Sequence, residues 1–214
     1  MKLYFHYCRY GFSNCYVLGP DPADAPEGTS REAAPHEAII VDPGVMDEAI
    51  LKSVENNNYN LRGVLITHDH LNHVHGLRTL KRIYHADIYA MNPVIREHRT
   101  KRVRDGDIIT IGPFKVEVIS VPGHSSDSAV FRIDHLLFTG DAMSAGLVGS
   151  TPSSYSATVQ MAALRSKILS LPGDYTVLPS HGPPSTLEVE RRYNVGIQLY
   201  DQNRNQRPSF KVDI

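Results

Sequence analysis

The residues Thr67-His68-Asp69-His70-Leu71-Asn72-His73 follow directly on the apolar run Gly63-Val64-Leu65-Ile66. Three imidazoles so close together at the end of a strand can converge on one or two metal ions if the chain turns tightly there. Histidine is the commonest metal ligand, and its neutral ring suits Zn, Fe, Ni or Cu. Three later segments repeat the arrangement: Pro122-Gly123-His124-Ser125, Thr139-Gly140-Asp141-Ala142 and Ser180-His181-Gly182-Pro183. Each sets a ligand-type side chain just after an apolar stretch, beside Gly or Pro, so the backbone turns and exposes it. Taken singly, His124 or His181 reads as an ordinary turn histidine, and Asp141 as a common Gly-Asp turn. All four segments together, each at a strand end, point to a metal centre. Asn72 stands where a carboxylate would be the better ligand. An amide oxygen is a weaker, neutral ligand and cannot accept a proton near pH 7.

The elements that must hold these groups are legible from periodicity. Strands are expected at Lys2–His6, Asn14–Leu18, Ala38–Val41, Gly63–Thr67, Ile88–Met91 and Tyr175–Leu178. Two hairpin-like pairs are expected, Asp107–Ile111 with Phe114–Val121 and Ala129–Ile133 with Leu136–Thr139, the former alternating at Val116 and Val118. Helical spacing covers Val45–Asn56, Leu77–Tyr84, Val159–Leu169 and Thr186–Tyr200, the last capped by Ser185. Residues 20–37, rich in Pro, Ala, Asp and Glu, bury little apolar surface and are expected to form a mobile surface loop. Strands both as hairpins and alternating with helices indicate mixed sheets with helices outside, a layered α/β or α+β fold.

Composition excludes several classes. The 22 basic and 23 acidic residues balance to −1, giving no global attraction to nucleic acid or anionic membrane. No run approaches the ~20 apolar residues of a membrane span. His6 and Arg9 interrupt the first apolar stretch, so no export signal is read. Cys8 and Cys15 match no zinc-ribbon spacing and read as two buried thiols in a reducing compartment, which places the protein in the cytoplasm. The segment Arg96–Arg104 carries five basic side chains and reads as a solvated surface; its functional alternative is a patch that attracts an anionic small molecule.

The early Gly11-Phe12-Ser13-Asn14-Cys15-Tyr16, the turn Val41-Asp42-Pro43-Gly44, the four ligand segments and Arg191-Arg192-Tyr193-Asn194 are similar to the glyoxalase-II-like branch of the metallo-β-lactamase superfamily. The resemblance covers nearly the whole chain. It implies a four-layer αββα sandwich of two mixed β-sheets flanked by helices, as one domain over residues 1–214. It also implies two metal sites: His68, His70 and His124 at the first, His73 and His181 at the second, and Asp141 bridging. The expected cofactor is Zn2+, one or two ions, with Fe or Mn as alternatives. The family pattern has Asp where this chain has Asn72, so the second site is expected to be weaker than the first or empty. His75 is an extra imidazole, read as a solvated loop residue.

A cation held by three neutral imidazoles and one carboxylate lowers the pKa of bound water from about 15.7 toward about 7 and polarises a carbonyl. The resemblance therefore implies a hydrolase acting on a small thioester or ester, with His68, His70, Asn72 and Asp141 as its catalytic set. Two alternatives stand beside it. One is a mononuclear iron persulfide dioxygenase-like oxidoreductase, with His68, His124 and Asp141 as a facial ligand set. The other is a metal-binding family member whose catalysis Asn72 has weakened.

Overall fold

A computed structural model describes residues 1–21 and 35–205. The expected mobile loop over residues 20–37 falls largely outside the described residues. Its last part is a strand, because His36 and Glu37 pair with Tyr59 and Asn60.

The first sheet contains β1 (Lys2–Cys8), β2 (Ser13–Gly19), β3 (His36–Val41), β4 (Tyr59–Leu65) and β5 (Asp87–Ala90). After the small hairpin β6 (Val94–Ile95) and β7 (His98–Arg99), β8 (Lys101–Arg102) closes its edge, in the order β1-β2-β3-β4-β5-β8. The second sheet begins with β9 (Ile108–Ile111), β10 (Phe114–Ser120), β11 (Ala129–Ile133) and β12 (Leu136–Gly140). A two-stranded excursion, β13 (Met143–Ser144) and β14 (Leu147–Val148), precedes β15 (Thr176–Pro179) and β16 (Ser185–Thr186), giving the order β16-β15-β12-β11-β10-β9. Both sheets are mixed: β3, β4, β5 and β8 run parallel in one, as do β12 and β15 in the other.

Strand periodicity sorts side chains between layers. In β3, Ala38 and Ile40 face a core completed by the helices α1 (Glu48–Asn56), α2 (Leu71–Val74) and α3 (Leu77–Ile83), through Ile50, Val54, Val74, Leu77 and Leu80. Ile39 and Val41 face the opposite way and meet Val116, Val118, Phe131 and Phe138 of the second sheet. Burial on both faces explains why these strands read as unbroken apolar runs. The outer face of the second sheet, through Val130, Leu137 and Val177, packs on Leu164, Ile168 and Leu187. These belong to α4 (Ser154–Ala163) with its wide continuation Leu164–Ile168, and to α5 (Leu187–Tyr193). The layers are helix, sheet, sheet, helix, as the resemblance implied.

Several local expectations are corrected. The helix expected over Thr186–Tyr200 is two helices, α5 and α6 (Val195–Asn205), separated at Asn194, whose ψ of 106° is not helical. The Asn194 amide binds the Leu147 carbonyl and the Glu190 carboxylate, partners no local pattern reveals. The cap of α5 is Thr186 rather than Ser185, which donates instead to Glu190. The α4 helix starts at Ser154, five residues before its apolar spacing begins, because Ser153 caps it.

Candidate metal centre

Four strand ends meet at one edge of the sandwich. His68 follows β4, His124 follows β10, Asp141 follows β12 and His181 follows β15. Backbone bonds tie the sheets together there: Ala129 N–H donates to Thr67 O at 2.9 Å, and Asn14 N–H to Ser180 O at 2.7 Å. The turns need little space. Gly140 has φ +55°, and a Cβ on it would lie 2.6 Å from Thr67 Oγ1. Gly123 has φ +145°, and a Cβ there would strike Gln160 Cβ at 2.3 Å. Only glycine brings these loops so close.

Six of the side chains singled out in the sequence come together in two clusters. His68, His70, His124 and Asp141 form one; His73, Asp141 and His181 form the other, and within each the ligand atoms lie within 4.8 Å of one another. His70 Nδ1 is 2.9 Å from His68 Nε2 and 3.0 Å from His124 Nε2. Asp141 Oδ2 lies 3.7, 3.4 and 3.6 Å from His68, His124 and His73 Nε2, and Asp141 Oδ1 is 3.6 Å from His181 Nε2. Asn72, the seventh, extends its amide nitrogen to 3.0 Å from His73 Nε2 and 3.1 Å from His181 Nε2. His75 joins neither cluster; it is exposed and stacks on Tyr10 at 4.4 Å.

Neighbouring groups decide where each imidazole carries its hydrogen. Thr67 Oγ1 spends its only hydrogen on Asp42 Oδ2, at 2.6 Å, so it accepts from His68 Nδ1 at 3.0 Å. His124 Nδ1 donates to Ser150 O at 2.8 Å, and His181 Nδ1 to Phe12 O at 2.9 Å. A carbonyl only accepts. In its neutral tautomer each of these rings therefore turns an Nε2 lone pair inward. In the first cluster a single hydrogen on His70 Nδ1 can serve only one of the two lone pairs facing it, and the buried Asp141 Oδ1 finds no donor. Unmet acceptors at this density are costly unless a cation sits among them. The nitrogen-rich, single-carboxylate set fits a borderline cation such as Zn2+ or Fe2+.

Charge distribution agrees. Burial, and the adjacent His73, push the His68 pKa down to about 4, which keeps its ring neutral. Burial alone would raise the Asp141 carboxyl; the His73 ring at 3.6 Å, with His68 and His181 beyond, holds it well below the usual carboxylate range. For His73 burial is outweighed by the Asp141 and Asp42 carboxylates, 3.6 and 3.4 Å away, which lift its pKa to about 9 in the metal-free protein.

Two supporting carboxylates carry no signal in ligand spacing. Asp42 is fully buried and takes φ +47°. It accepts from Thr67 N (2.8 Å), Thr67 Oγ1 (2.6 Å) and Ser180 Oγ (2.8 Å), and lies 3.4 Å from His73 Nδ1. One side chain thus links the segments carrying His68, His73 and His181. Its position in an Asp-Pro-Gly turn directly after an apolar strand is the one clue the sequence offers. Asp127 does similar work nearby, accepting from Asp69 N, Asn92 Nδ2 and Ser125 Oγ. A cavity of about 180 Å³ opens beside the centre, lined by His124, Gly140, Asp141, Ser144, Gly149, Ser150 and His181.

Known proteins share this architecture. Residues 32–181 match the family model described as the metallo-beta-lactamase superfamily. A Haemophilus influenzae protein named hydroxyacylglutathione hydrolase GloC is 29% identical over 183 residues, 73% of this chain and 85% of its own. A Bacillus velezensis protein named as a probable polyketide biosynthesis zinc-dependent hydrolase, BaeB, is 28% identical over 174 residues, 76% of each chain. The crystal structure of ETHE1 from Myxococcus xanthus superposes with a TM-score of 0.77 at 22% identity, covering 98% of this chain and 93% of that one, and so shares the fold. With that match spanning most of the chain, and four strand ends carrying ligand-type side chains meeting in the shared sandwich, the chain belongs to the metallo-beta-lactamase superfamily.

Proposed function

We propose that the protein is a metal-dependent hydrolase acting on a small thioester or ester. The observation that carries this reading is the first cluster: His68, His70, His124 and Asp141 aim their ligand atoms at one point beside an open cavity, with the His68 and His124 tautomers set to present lone pairs. These four residues would hold the cation. When bound, such a cation activates water near neutral pH and draws electron density from a carbonyl.

The chain's own groups do the rest. Ser150 O holds the His124 ring, and Thr67 with Asp42 holds His68, so neither ligand needs to reorganise. Gly140 and Gly149 add no side chains to the cavity lining, which also includes Ser144 and Ser150. At about 180 Å³ the cavity is below the roughly 300–1,000 Å³ typical of drug-sized ligands. It suits a small polar acyl group, with the remainder of the substrate lying outside. The names of GloC and BaeB support a hydrolase, and that of BaeB supports zinc. Among the described residues no helix is long and apolar enough to cross a membrane. Two buried free thiols suit a cytoplasmic location.

The test is metal analysis of protein purified without added metal, followed by assays on thioesters, esters, lactones and persulfides. Zinc with thioester or ester turnover is the expected result. Iron with oxygen uptake on a persulfide would overturn it in favour of the dioxygenase reading, and a bound metal with no turnover would favour weakened catalysis.

A further inference from the structure

We propose that the Asn72 carboxamide takes the place of a second cation, so that the centre holds a single ion. This rests on the reading that His68, His70, His124 and Asp141 bind the first. The second cluster, His73, Asp141 and His181, has ligand-like spacing but differs from the first in one respect. Its two imidazole nitrogens already face a donor. Asn72 Nδ2 lies 3.0 Å from His73 Nε2 and 3.1 Å from His181 Nε2.

The direction of these contacts follows from the far side of each ring. His181 Nδ1 faces the Phe12 carbonyl at 2.9 Å, which only accepts, so neutral His181 has its lone pair on Nε2. His73 Nδ1 is 3.4 Å from the Asp42 carboxylate, which draws the ring hydrogen to that side. With that hydrogen on Nδ1, a neutral His73 also turns its Nε2 lone pair to the amide, as His181 does. A carboxamide nitrogen carries two N–H groups in fixed, divergent directions. One group per imidazole satisfies the pair, as a metal would, without a charge.

Asn72 is also held in place. Its carbonyl accepts from Ser13 Oγ at 2.7 Å. Gly11 and Gly44 press against it so closely that a Cβ on either would fall 2.2 Å from Asn72 Cβ and 2.1 Å from Asn72 O, respectively. These contacts fix the main chain and Cβ of Asn72 beside the two rings. A second ion would have to break both N–H bonds and turn the amide over. It would gain a neutral oxygen and only a share of Asp141, the one anionic ligand. In the first cluster the atom placed between two lone pairs is His70 Nδ1, which has at most one hydrogen to give, so the two clusters are chemically unequal although their spacing is alike.

The experiment measures bound metal directly. Wild-type protein and Asn72→Asp are stripped, loaded with Zn2+ or Co2+, desalted against a weak chelator and assayed for metal per chain, with Co2+ absorption reporting ligand geometry. The expected result is one ion in the wild type and two in Asn72→Asp, with second-ion affinity raised at least tenfold. Two tightly held ions in the wild type, or an unchanged single ion in Asn72→Asp, would overturn the proposal. If Asn72→Asp does not fold, His181→Ala decides. Retention of one ion with unaltered affinity supports a one-ion centre, whereas loss of an ion relative to wild type overturns it. The function reading fails separately. One ion with no turnover supports the single-ion centre and overturns the hydrolase, while two ions overturn the single-ion centre whatever the activity.

Discussion

Replacing Asp42 by asparagine should disturb the centre without touching any ligand. The substitution keeps size and shape but exchanges one carboxylate oxygen for an NH2 group. If the amide oxygen keeps the bond from Thr67 N, the NH2 takes the place of Oδ2 and faces Thr67 Oγ1, Ser180 Oγ and His73 Nδ1. Thr67 must then accept from the introduced amide and turn its own hydrogen toward His68 Nδ1. That puts the His68 hydrogen on Nε2, where it blocks coordination. His73 is driven to the same wrong tautomer. Bonds to a buried charge contribute about 1.5–3 kcal/mol each, against about 0.5–1.5 for neutral ones. Three such bonds weakened by ~1 kcal/mol each give a loss of roughly 3 kcal/mol. For a chain of this size that lowers Tm by about 6–12 °C. Loss of ligand orientation should also weaken metal binding about 10–100-fold. Thermal unfolding of the metal-free variant reads the first effect, and competition with a chromophoric chelator reads the second. A variant melting within about 2 °C of wild type and holding metal within about threefold would refute the tautomer argument.

Other perturbations test separate parts of the centre. Thr67→Val removes the hydroxyl that orients His68; metal affinity should fall about 10–100-fold in a chelator competition while the protein remains folded. His124→Ala leaves three ligands at the first cluster, so metal content after desalting should drop well below one per chain. Gly140→Ala forces a Cβ into Thr67 at a left-handed backbone position, costing about 1–2 kcal/mol from chirality alone, visible as a lowered urea midpoint. In the metal-free protein, pH should act in two opposed windows. His68 titrates near 4 when folded and near 6.5 when unfolded, so the unfolded chain binds the proton first and stability falls as pH drops from 6.5 to 4. His73 is raised to about 9, so the stability it adds is complete below 6.5 and is lost as pH rises through 9. Urea midpoints of chelator-treated protein should therefore peak near pH 6.5, and a monotonic profile across pH 4–9 would contradict the balance.

Much of the fold is legible in the sequence because its central strands are buried on both faces and its helices on one. The runs Ala38–Val41 and Gly63–Ile66 announce themselves as apolar stretches, and α1 as a 3.6-residue stripe ending in Ile50 and Val54. The strands β6, β7 and β8 escape such a reading because Val94–Arg102 is dominated by Arg, Lys and His, with no apolar alternation to follow. The break at Asn194 escapes it because Glu190 and Leu147 make it, rather than Gly or Pro.

The sequence by itself determined the ligand-type residues and their placement at strand ends. Those properties are local: residue type, neighbouring glycine or proline, and an apolar run before them. Only the tertiary structure decided where each ring carries its hydrogen and what Asn72 touches. Those depend on partners far away in the chain: Asn72 meets His181 across 109 residues, His124 meets His70 across 54, and Asp42 meets Ser180 across 138. A hydrogen bond depends on distance and direction between two groups. Spacing along the chain specifies neither until the two sheets have packed.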